Sequence, residues 1–76
     1  MSIKQAIKNY IEKKYSTKIE NSTSLINNGI IDDEGVAIFT LFLEDTFYVQ
    51  IDDEEITPEN FGTINKLEMF IKKKMQ

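Results

Sequence analysis

Apolar residues return at i, i+3 and i+4 in three stretches of the chain, and each stretch predicts a helix. In the first, from about Ser2 to Tyr15, Ile3, Ala6, Ile7, Tyr10 and Ile11 share one face and Lys4, Lys8, Lys13 and Lys14 take the rest. Ser2 is placed to cap it. The second runs from Asp33 to about Tyr48, with Asp32 as N-cap and Asp33 and Glu34 at the positive end of the helix dipole. Its residues, set 100° apart, fall into two arcs. Val36, Phe39, Phe42, Leu43 and Phe47 form the expected core side; Glu34, Ala37, Ile38, Leu41 and Asp45 lie opposite. That second arc is unusually apolar for a face turned to water. The third stretch follows Thr63 as cap and ends near Met75, with Leu67, Phe70, Ile71 and Met75 as its buried stripe and Lys72, Lys73 and Lys74 at its C-terminal end.

The intervening segments read differently. Residues 16–31 are dense in Ser, Thr and Asn, and Asn27-Asn28-Gly29 is a turn signal. Leu25, Ile26, Ile30 and Ile31 predict a long loop tethered by inserted aliphatic side chains, a kind of loop that often carries function. Val49-Gln50-Ile51 is an extended connector without a strand partner. Asp52-Asp53-Glu54-Glu55 is a charge run. Thr57-Pro58-Glu59-Asn60-Phe61 has a cap followed by Pro at a first helical position, giving one or two helical turns that end at Gly62. No internal repeat is evident. The expected architecture is one all-α domain over residues 1–76, a four-helix bundle with three long helices, a short third helix and a long first loop.

Charge sharpens this outline. Residues 1–18 hold five lysines and one acid, residues 19–62 eleven acids and no lysine, and residues 63–76 four lysines and one acid. A basic frame encloses an acidic middle. The middle suits basic surfaces of partner proteins and is unsuited to nucleic acid; the plainer alternative is a solvated surface that favours solubility. Cysteine, histidine, tryptophan and arginine are absent. That removes thiol chemistry, the commonest general base and the bidentate phosphate clamp. Apolar runs long enough for a bilayer are lacking, and Met1-Ser2-Ile3-Lys4-Gln5 does not resemble a signal peptide. These features lead to the expectation of a cytoplasmic, non-enzymatic monomer with no membrane or nucleic-acid partner.

The order of elements resembles the acyl and peptidyl carrier proteins. Thr23-Ser24-Leu25-Ile26 with Gly29-Ile30-Ile31-Asp32 is similar to the loop leading into the family's attachment site. Gly35-Val36, Phe42-Leu43-Glu44-Asp45 and Phe47 resemble its second helix. Ile51 to Phe61 resembles the segment around its short third helix, and Ile64, Leu67 and Ile71 resemble the last helix. In that family an Asp-Ser-Leu motif opens the second helix, and its serine carries 4′-phosphopantetheine, the arm that holds acyl or aminoacyl cargo in fatty-acid, polyketide or nonribosomal peptide synthesis. Here Asp32 matches the first position, but Asp33 stands at the serine position and Glu34 at the leucine position. The resemblance implies the fold and a habit of docking to biosynthetic enzymes, while Asp33 argues against the covalent arm and leaves no cofactor expected. Because two motif positions differ, natural divergence accounts for the sequence better than replacement of a single serine.

By the same resemblance, Asp32, Asp33, Glu34, Ala37, Ile38, Leu41, Glu44 and Asp45 form the candidate partner-binding set, an apolar centre with an acidic rim, and self-association through this face is a further alternative. The alternatives are a carrier whose natural form has Ser at position 33, a carrier using another hydroxyl such as that of Ser24, and an unrelated acidic helical adaptor. A divalent-cation site on Asp32, Asp33 and Glu34, completed by Asp52 or Asp53, competes with plain stabilisation of a helix N-terminus. Catalytic and metal-ligating residues are not expected.

Overall fold

Helix α1 spans Ile3–Tyr15, and Ser2 caps it as the sequence predicts, its hydroxyl accepting from the Gln5 amide at 3.0 Å. The computed structural model describes residues 2–26 and 29–76. Asn27 and Asn28, two residues of the expected turn, lie outside the described residues. Helix α2 spans Asp33–Phe47, α3 Pro58–Phe61 and α4 Ile64–Met75. There are no strands among the described residues, and the four α-helices form a small helical bundle. Thr57 and Thr63 cap α3 and α4 by accepting from the Asn60 and Lys66 amides. The acidic run read only for its charge folds further than expected. Asp53–Glu55 forms one turn of 3₁₀ helix, with the Asp52 amide donating to Glu55 Oε1 at 2.9 Å.

The core gathers Ile7 and Ile11 from α1, Phe39 and Leu43 from α2, Phe61 from α3, and Ile64, Leu67, Phe70 and Ile71 from α4. Aromatic rings link the helices in series. Phe42 stacks on Tyr10 with centroids 4.0 Å apart, and Tyr10 stacks on Phe39 at 5.7 Å. Phe39 meets Phe61 edge-on at 6.1 Å, and Phe61 meets Phe70 at 5.7 Å. Such pairs add about 0.5–1.5 kcal/mol each beyond the area they bury. The first loop is tethered as expected. Leu25 and Ile31 are buried, with Ile26 and Ile30 packed against the core. Backbone bonds finish the tether: the Leu25 amide donates to Gly62 O at 2.8 Å and the Asn65 amide to Asn21 O at 3.1 Å.

Two stripes need correction. On α2, Val36, Phe42 and Phe47 are only partly buried, and the buried line runs through Gly35, Phe39, Thr40 and Leu43. Thr40 can lie inside because its hydroxyl donates to Val36 O at 2.8 Å. Gly35 lies inside because the Tyr15 hydroxyl crosses it; a Cβ there would fall 2.7 Å from that oxygen. On α4, Met75 is exposed rather than buried. Met75 is the final helical residue and stands beyond the buried Phe70 and Ile71, while beside it Lys74 Nζ reaches Glu55 Oε1 at 2.7 Å and sits 5.8 Å from the Phe70 ring centre.

Both long helices that precede a connector end in the same way. Ser16 after α1 and Tyr48 after α2 adopt left-handed backbone, with φ of 50° and 55°. Four residues before each, a glutamate accepts from the backbone of the departing chain. Glu12 Oε2 takes the Ile19 amide at 2.9 Å, and Glu44 Oε2 takes the Ile51 amide at 2.8 Å. Ile19 and Ile51 are then buried. This repeated device, 32 residues apart, escapes a reading for sequence repeats because few of its residue identities are shared.

Candidate functional site

The N-terminus of α2 is built by Asp32, whose Oδ1 accepts from the Gly35 amide at 2.7 Å and whose carbonyl accepts from the Val36 amide at 2.8 Å. Its side chain is thereby spent on the helix, not held ready for a ligand. Asp33 and Glu34 occupy the first turn and are exposed, where the dipole favours them. Behind this turn the Tyr15 hydroxyl lies against Gly35. Burial pushes the Tyr15 phenol above its ordinary value; the nearby charges of Tyr10 and Asp32 add to this, and Lys14 opposes it.

Ala37, Ile38, Leu41 and Asp45 are all exposed, as the two-arc pattern predicts. Ile38 is 50% and Leu41 60% exposed, so two aliphatic side chains stand side by side in solvent on this face. The candidate set is divided by the connector that follows α2. Asp33, Ala37, Leu41 and Glu44 line an open groove of about 480 Å³ against Ile51, Asp53 and Ile56. Glu34, Ile38 and Asp45 lie outside that groove. Glu44 is half-buried and already accepts the Ile51 amide, so it shapes the groove as well as charging it. Asp33 and Asp53 share the groove, but among the described residues no group of three or more acidic side chains is placed to hold one cation.

The sequence reading omitted Tyr48. It is 93% exposed and lies three residues after Asp45, as the left-handed C-cap that ends α2 beside the Glu34, Ile38, Leu41, Asp45 face. That spacing was available to find it, but a position at the end of a helix looks like a boundary and not like part of a face. The groove wall formed by Ile51, Asp53 and Ile56 was also omitted, since only the folded connector brings it beside α2. Among the described residues, no helix is long and apolar enough to cross a membrane. No protein-family model matches the chain, and no curated protein matches it either.

Proposed function

We propose that the chain is an acyl-carrier-like, non-enzymatic domain that has lost its prosthetic arm and acts by docking proteins on α2. The observation that carries this reading is the outward face of α2, where Ile38 and Leu41 stand exposed within a rim of Asp33, Glu34 and Asp45. Apolar area left in water at such a cost, with one sign of charge around it, fits a surface that binds a basic partner. The order of a long helix, a long tethered loop, a long helix, a short helix and a last helix supports the carrier-like part of the reading.

The arm implied by the resemblance does not fit the residues present. Asp33 has no hydroxyl to form the phosphodiester, and Asp33 and Glu34 together repel an incoming phosphate. The serines are no substitute: Ser2 caps α1, Ser16 ends it, and Ser22 and Ser24 lie in the first loop, away from the start of a helix. Incubation with a broad-specificity phosphopantetheinyl transferase and coenzyme A, read by intact mass, tests this. The expected result is no mass gain for the chain and a gain for Asp33→Ser/Glu34→Leu. Modification of the unaltered chain would overturn the arm-less reading.

A further inference from the structure

The partner charge that α2 calls for exists on the chain itself. Eight of the nine lysines lie on α1 or α4 and the ninth, Lys18, lies two residues past the α1 cap, while the eleven acids of residues 19–62 lie on the rest of the fold. On α4, Lys66, Met69 and Lys73 are exposed at spacings of three and four residues, so they share one face. Met69 is 65% exposed. The three side chains line one shallow hollow of about 130 Å³, with Glu59 also lining it. The α2 face is the reciprocal of this: Glu34 and Asp45 bracket Ile38 and Leu41 on one line. An acid-rimmed aliphatic patch and a lysine-rimmed methionine patch therefore occupy different faces of the same molecule.

We infer that a second copy of this chain occupies the α2 face, presenting α4 to it, with Met69 against Ile38 and Leu41 and with Lys66 and Lys73 beside Glu34 and Asp45. This rests on the docking role proposed for α2 and supplies its partner; it does not depend on the missing arm. The contact joins two different faces, so it is head-to-tail and leaves one face of each type open on a dimer. Further copies add to those open faces. Helix α2 holds 15 residues and α4 12, enough for about three turns of each to meet. The patches are small and rimmed by solvated charge, so the association is weak and belongs with transient contacts. It departs from the expected monomer and takes up the self-association that the apolar α2 arc left open in the sequence.

Sedimentation velocity tests the inference. The chain is expected to gain mass progressively up to roughly 1 mM at about 20 mM salt, and to associate about tenfold more weakly at about 500 mM salt, where charges are screened beyond a few ångströms. Leu41→Lys removes the α2 face and Lys66→Glu/Lys73→Glu removes the α4 face. Both change exposed positions, and unaltered circular dichroism verifies their folding. Each variant alone is expected to be monomeric, while an equimolar mixture forms a dimer and stops there, because each retains one intact face. Monomer throughout the unaltered chain's concentration series overturns the self-pairing, as does a mixture that fails to dimerise or a single variant that still associates. Those outcomes are read without any other protein or cofactor. The arm-less reading depends separately on the mass measurement.

Discussion

The exits from α1 and α2 use one device for opposite surroundings. In each, an apolar pair precedes a glutamate (Tyr10-Ile11-Glu12 and Phe42-Leu43-Glu44), a left-handed residue follows four positions later, and a buried isoleucine ends the turn. The glutamate holds that isoleucine's amide in both cases. Their surroundings diverge. The last turn of α1 contains Lys13 and Lys14, which suit the negative end of the dipole; that of α2 contains no base and carries Asp45, which opposes it. Such a misplaced charge costs about 0.3–1 kcal/mol. The left-handed residue after α1 is a small serine, whereas after α2 it is a tyrosine almost wholly in solvent. The first exit is built for stability. The second accepts costs that packing does not return, beside the face that exposes Ile38 and Leu41. The difference is what the docking role proposed for the α2 surface would require.

The comparison breaks if the two glutamates are not equivalent. Glu12→Ala and Glu44→Ala each leave a backbone amide without its acceptor at a part-buried site, at an expected cost of about 1–3 kcal/mol. Urea unfolding is expected to show losses of similar size. A large loss for one variant and none for the other would mean that only one exit depends on its glutamate.

This device also marks where sequence reading stopped. The helices, their caps and the exposed α2 arc follow from periodicity, because a helix places residues 100° apart whatever surrounds it. Leu25 and Ile31 were readable as tethers because aliphatic side chains in a polar loop have few other uses. The inward role of Glu44 was not readable. Its carboxylate accepts the Ile51 amide only because the connector turns back after Tyr48, and no residue pattern encodes that return. Leu25 N–H to Gly62 O is hidden for a related reason: a backbone bond leaves no trace in side-chain identity. Met75 fits the α4 stripe by spacing, but it is the last helical residue and lies past the buried Phe70 and Ile71, so the stripe runs out before it reaches that position. The apolar centre of the candidate surface was therefore legible, while its extension to Tyr48 and its groove wall required the folded connector.

A smaller effect sharpens the contrast at the left-handed positions. Glycine adopts φ near +55° without the crowding that a Cβ brings, a relief of about 1–2 kcal/mol. It also loses more freedom on folding, which returns about 0.5–1 kcal/mol. Ser16→Gly and Tyr48→Gly are therefore each expected to stabilise the fold by up to about 1 kcal/mol in thermal or urea unfolding. They part in self-association, where only Tyr48→Gly is expected to weaken the sedimentation shift, because the exposed Tyr48 ring stands at the end of α2 while Ser16 ends α1. Destabilisation by Tyr48→Gly would mean that the ring packs on the fold, and the argument from its exposure would fail.

The smallest expected effect lies at the ion pair that joins the acidic and basic parts of the molecule. Lys74 and the Asp52 amide both donate to the Glu55 carboxylate, and the hydrogen bond from Lys74 is the larger cause holding that carboxyl below its ordinary value of 4.5. A lowered value means that the folded chain binds this proton less readily than the unfolded chain does. The stabilisation is thus present above the ordinary value and is lost as pH falls through the lowered one. Glu55 is open to solvent, so the effect is modest and salt weakens it further. Glu55→Gln is expected to melt slightly below the unaltered chain at pH 7 in low salt, with the gap closing as the pH drops below the ordinary glutamate value. A gap that stays constant across that range would show that Glu55 contributes through shape rather than charge. The link from the 3₁₀ turn to α4 would then not depend on the contrast between the acidic and basic segments.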